Sequence, residues 1–206
     1  MSRDHSDALD FDLSFLHIGK ELKQSEASSI FEVEIHGSSY AMKVFHNNGD
    51  PGFTKKGRDL NRFRCELNAY RNLYSFGVCE RGLVPYYYGY IDRLDPAKYQ
   101  PHLNHFAGDT HFPNRRLQTA IYGLRQIHNA LIHHHDIYPK NILIVQGHPE
   151  RVVWIDFDVA VTFPSKEAMN CQAEKYCQHE IELFASFGQL LQEDQKQGLP
   201  PNTKYY

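Results

Sequence analysis

Three oxygen-bearing residues have the spacing that chemistry needs. Asp136 is followed five residues later by Asn141, and Asp156 comes after a short turn-separated pair of apolar runs. Two carboxylates and an amide delivered to the ends of two neighbouring short strands can converge on one point. Hard oxygen ligands of this kind suit Mg²⁺, with phosphate oxygens completing its shell. Lys43, within the alternating run Ala41-Met42-Lys43-Val44, supplies a cation for phosphates, and Glu66, within an amphipathic helical pattern, supplies an anion to hold that cation. Asp158, two residues beyond Asp156, adds a further carboxylate that can join a metal set or repel a polyphosphate. Taken singly, each has an ordinary explanation: a solvated strand lysine, a surface helix acid, turn formers, a strand-end acid.

These residues need a scaffold, and hydropathy patterning supplies one. Phe11 to Ile18 is mostly apolar, Ile30–Ile35 alternates, His36-Gly37-Ser38-Ser39 reads as a turn, and Tyr40–Phe45 alternates again, which predicts a small antiparallel sheet. Leu60, Phe63, Leu67, Tyr70 and Tyr74 recur on one face of a predicted helix whose core-facing side they form, with Gly77 as its C-terminal cap. Leu83–Tyr90 reads as a short aromatic strand or turn, and its Tyr86-Tyr87-Tyr88 as strand packing rather than a ligand platform. Residues 91–114 carry no apolar run and read as a long loop. The helical period returns at Leu117, Ile121, Leu124 and Leu131, with Asn114 as a candidate cap. Ile142–Val145 and Val152–Ile155 form a predicted hairpin, and a last helix spans about Glu180 to Leu191 through Ile181, Phe184 and Gly188.

The charge balance narrows the function classes. Lys and Arg number 22 against 25 Asp and Glu, a net charge of −3, with the basic residues scattered among acids. Such a chain lacks the clustered positive charge that nucleic acids and anionic membrane surfaces require. There is no apolar run long enough to span a bilayer and no signal-like N-terminus, so an intracellular, cytoplasmic protein is expected. Its cysteines, Cys65, Cys79, Cys171 and Cys177, have no CxxC spacing and are expected to be reduced thiols. His133-His134-His135 has the look of a metal tract, but adjacent residues cannot all face one ion.

The order and spacing of these residues resemble the protein-kinase-like superfamily. His134-His135-Asp136-Ile137-Tyr138-Pro139-Lys140-Asn141 is similar to its catalytic loop, Asp156-Phe157-Asp158 to its metal-binding Asp-Phe-Gly, Ala41-Met42-Lys43 to its Val-Ala-Ile-Lys strand and Glu66 to its partner helix acid. With Pro149–Asp158, the loop is also similar to small kinase-like proteins common in fungal genomes, most of which have no assigned substrate. The resemblance spans roughly residues 12–192 and is strongest over 130–160.

The resemblance implies an α+β, two-lobed fold in a single domain over 1–206. The N-lobe, about 12–92, would hold an antiparallel sheet and one helix. An atypical linker over 91–114 falls where the family has its fifth strand and hinge. A truncated helical C-lobe of about 115–192 would follow, with a frayed tail at 193–206. It also implies that Lys43 contacts the phosphates of ATP and Glu66 pairs with it, that Asp136 orients or deprotonates a hydroxyl acceptor, and that Asn141 and Asp156, joined by Asp158, hold Mg²⁺. Several positions depart from the pattern. The stretch from Lys20 to Ser29, expected to cover the phosphates, has no glycine. His135 replaces the Arg that clamps a phosphorylated loop, and Tyr138 replaces a Lys near the transferred phosphate. No Ala-Pro-Glu follows, and the Cys171/Cys177 pair falls in the stretch that corresponds to the activation segment. The expected function is ATP/Mg-dependent phosphoryl transfer to a protein or small-molecule hydroxyl. The alternatives are a pseudokinase acting as a binding or scaffold module, or the same scaffold reused in a specialised biosynthetic pathway.

Overall fold

A computed structural model of the chain describes residues 7–9, 12–25, 27–46, 50–55, 57–91, 114–145, 147 and 149–196. The expected long loop over 91–114 lies outside them but for its two end residues. Among the described residues the fold is α+β: an N-terminal three-stranded antiparallel sheet, three α-helices and two short two-stranded pairs. The chain divides into two compact units, Met1–Asp50 with Tyr88–Asp109, and Pro51–Tyr87 with Thr110–Tyr206.

In the first unit, β1 (Leu16–Gln24), β2 (Ser28–Ile35) and β3 (Ser38–Phe45) pair in sequence order. His36 and Gly37 both have positive φ, 50° and 77°, the conformation of the two-residue turn whose twist matches a hairpin. Leu16, Phe31 and Val33 are buried, and Ile18, Ile35, Tyr40, Met42, Val44 and Ile91 pack around them. The glycine-free stretch expected as a phosphate loop is largely strand: β1 continues through Gln24, with register breaks between Ile18 and Lys23.

In the second unit, α1 (Arg62–Ser75) starts at Asn61, whose side chain accepts the Arg64 N–H, and is followed by Gly77 at φ 65°. Its buried stripe is Cys65, Glu66, Ala69 and Leu73, whereas Leu60 and Tyr74 are exposed, so the expected face is rotated. The small Cys65 and Ala69 bring the helix backbone close to its neighbours, and the larger Phe63, Leu67 and Tyr70 flank that line at partial burial. Tyr87 stacks on Tyr70, and the partly exposed Tyr86 and Tyr88 meet Tyr74 and Tyr40 edge to face, so each ring of that trio has a packing partner. α2 (Asn114–Asn129) and α3 (Cys171–Lys196) pack together. α3 begins nine residues earlier than the pattern predicts, because the Asn170 side chain accepts the N–H groups of Gln172 and Ala173 at 3.0 Å. Cys171 and Cys177 are therefore helical, and all four cysteines are free thiols.

Two short pairs complete the unit. β4 (Ile132–His133) pairs with β7 (Val161–Thr162), and β5 (Ile142–Val145) forms the expected hairpin with β6 (Arg151–Trp154). The core gathers Leu73, Leu124, Ile127, Ile132, Trp154, Phe157 and Phe184. Gly123 lets the Trp154 ring lie against α2, where its Nε1 donates to the Ala120 carbonyl at 2.8 Å. Among the described residues no helix is long and apolar enough to cross a membrane.

Candidate functional site

The two strand pairs of the second unit bracket two connecting segments, 134–141 between β4 and β5, and 155–160 between β6 and β7. His134 ties them together. Its Nε2 donates to the Ile155 carbonyl at 3.2 Å and its Nδ1 accepts the Asp136 N–H at 3.3 Å, which defines one neutral tautomer. Burial lowers its pKa, in keeping with a neutral ring packed against Trp154 and Phe157. The backbone is bent into the left-handed region at His135 (φ 69°) and Asp156 (φ 67°). Non-glycine residues adopt that conformation at a cost, and it clusters where side chains must be aimed.

Asp136 and Asn141 form one unit. Pro139 opens a single 3₁₀ turn, Pro139–Asn141, where its missing N–H is not needed. That turn brings the Asn141 Nδ2 to 2.8 Å from both the backbone carbonyl and the Oδ2 of Asp136. Asn141 is fully buried, yet its Oδ1 has no hydrogen-bond partner among the described residues. An orphaned buried acceptor costs about 1–3 kcal/mol, so something that accepts its lone pairs is the natural completion. The half-exposed Lys140 places its Nζ 3.2 Å from the Asp136 Oδ2. A cation thus stands near Asp136 although Tyr138 occupies the position where the resemblance calls for one.

Asp156 follows β6 at partial burial, and its charge reaches both His134 and Arg62. Asp158 is buried and receives the Arg62 Nη1 at 2.8 Å. That pairing engages one oxygen, Oδ2, of the carboxylate expected to join a metal set. Glu66 is buried on α1, one turn after Arg62, while Lys43 lies on β3 of the first unit, opposite Ile30, with its Nζ 5.1 Å from the Phe45 ring centre. Among the described residues no group of three or more His, Cys, Asp or Glu side chains is arranged to hold a metal ion. The expected oxygen set is one amide and the carboxylates of Asp156 and Asp158, which leaves the rest of an octahedral shell to other oxygens.

Glu180 of α3 is the anchor that sequence reasoning missed. Its Oε1 accepts the His135 N–H at 2.6 Å and its Oε2 the His134 N–H at 3.2 Å. The Nε2 atoms of His128 and His133 also reach it, at 2.8 and 3.2 Å. Burial pushes the Glu180 carboxyl up, but the His128 hydrogen bond and the neighbouring His133 outweigh it, and the net shift is downward. His133 is pushed down by burial to about 4. The histidine tract therefore serves a carboxylate rather than an ion. Only Asn141, with Asp136, was visible as a local spacing; Arg62 and Glu180 meet their partners across 96 and 45 residues of chain.

Compared with models of known protein families and with curated proteins, the chain matches none. The class that fold and site define is an α+β protein whose second unit concentrates acidic oxygens, one buried amide and Lys140 on the turns at the strand ends, with Arg62 reaching them from α1.

Proposed function

We propose that the chain is a kinase-like phosphotransferase that uses ATP and Mg²⁺ and transfers the γ-phosphoryl group to a hydroxyl of a protein or small molecule. The observation that carries this reading is Asn141: fully buried, fixed through its Nδ2 on Asp136, with its Oδ1 unpartnered among the described residues. Asn141 and Asp156 are the residues that would hold the metal. Asp158, whose Oδ2 is paired with Arg62, would join them through its other carboxylate oxygen. Bound Mg²⁺ would supply neutralisation of the phosphate charge.

Asp136 keeps its carboxylate oriented through the Asn141 amide and beside Lys140. It directs the acceptor hydroxyl and takes its proton as the new P–O bond forms and the bond to the departing ADP breaks. Glu180 holds the backbone behind it, so the loop is set before substrate arrives. Lys43 and Glu66 take the roles of phosphate cation and partner acid by resemblance.

Thermal melting with ATP, with and without Mg²⁺, tests the reading. A ligand specific for the folded state at 100 times its Kd adds about 2.7 kcal/mol of stability. A Mg²⁺-dependent rise that disappears in Asp156→Ala, together with ATP turnover that disappears in Asp136→Ala, is expected. The absence of any Mg²⁺-dependent rise overturns it.

One observation favours the second reading, a nucleotide-binding module without turnover. β1 carries no glycine beyond Gly19, and Glu21, 3% exposed, has no hydrogen-bond partner for either carboxylate oxygen among the described residues. Under that reading the Mg²⁺-dependent rise persists while turnover is absent from the unaltered chain as well.

A further inference from the structure

Asp158 is 6% exposed, and Arg62 is its hydrogen-bonding partner. A buried carboxylate needs a cation, but this cation is only lightly used. The Arg62 side chain is 51% exposed, and Nη1 is the atom that meets Asp158. A guanidinium carries five N–H donors in a rigid fork that matches phosphate oxygens. The hydrogen bond that Arg62 donates to Asp158 raises the Arg62 pKa, burial opposes it, and the charges of Asp158, Asp156 and Asp136 reinforce it. The free side of the fork therefore lies in the field of the same acids that would hold the metal and the acceptor.

We propose that Arg62 is a phosphate-contacting residue: it keeps Nη1 on Asp158 and offers its remaining N–H groups to the terminal phosphate of a nucleoside triphosphate. The proposal rests on the phosphotransferase reading and deepens it by assigning a γ-phosphate ligand to the second unit.

Calorimetric titration of the full chain with Mg²⁺ and either a non-hydrolysable ATP analogue or ADP tests it. The variants are the neutral pair R62Q/D158N, which leaves no unpaired buried charge, and R62K, which keeps the charge and loses the fork; melting temperatures report folding. Hydrogen bonds to charged groups are worth about 1.5–3 kcal/mol, so the analogue should bind R62Q/D158N about tenfold more weakly or worse, with ADP affinity changed by less than about twofold. R62K should weaken the analogue selectively as well, and it decides the matter if the double variant fails to fold. Equal losses for both nucleotides, or no loss for either, overturn the proposal and leave Arg62 a purely structural partner of Asp158. If the unaltered chain binds neither nucleotide, the phosphotransferase reading itself falls, and this assignment with it.

Discussion

Asn141 and Glu180 show how a single side chain sets the geometry of a loop. Replacing Asn141 by Ala removes both hydrogen bonds to Asp136 and leaves a buried carbonyl short of a donor. The expected loss is about 1–3 kcal/mol in urea unfolding, together with loss of the Mg²⁺-dependent rise in melting temperature. Glu180→Gln keeps the volume but turns an acceptor into a donor facing backbone N–H groups and imidazoles. A loss of about 2 kcal/mol or more is expected from the same measurement, and an unchanged midpoint would remove Glu180 from its anchoring role. At this scale the sequence is legible where partners are near neighbours. Asp136 and Asn141 meet within one turn, so their spacing announces them. Arg62 and Glu180 look like ordinary helical surface charges, because nothing local marks the residue each will meet.

Among the elements, the hairpin β5–β6 and the turn between β2 and β3 follow from patterning almost residue for residue, since alternation, turn chemistry and register are local properties. The α1 stripe and the start of α3 do not, because burial there depends on how closely two elements approach. α2 and α3 approach at Gly188, where a Cβ would run into Leu117. Gly188→Ala is expected to destabilise the protein by about 1–3 kcal/mol through overpacking. In the double variant with Leu117→Ala, the two losses should be clearly less than additive, since the smaller side chain makes room for the new methyl. Additive losses would mean that the helices do not meet there.

For the molecule as a whole, the groups around the loop anchor give stability one pH direction. His133 titrates at about 4 in the fold against 6.5 when exposed, so the unfolded chain binds the proton first as pH falls. Its contribution is complete above about pH 6.5, declines as pH drops toward 4, and each unit of separation is worth about 1.36 kcal/mol. His134 and His135 are displaced the same way by burial, and Glu180, displaced downward overall, adds a loss below about pH 4.5. Unfolding midpoints measured from pH 7 to pH 4 should therefore fall steadily, and Glu180→Gln, which removes the negative charge that opposes the displacement of His133, His134 and His135, should steepen that fall. The chain also carries a single tryptophan, and it sits beside them: Trp154 is fully buried, with its ring centre 5.3 Å from that of His134. A protonated imidazole quenches a neighbouring indole, so the emission of Trp154 is an optical gauge of the turns that carry Asp136 and Asp156, readable in solution without any added label.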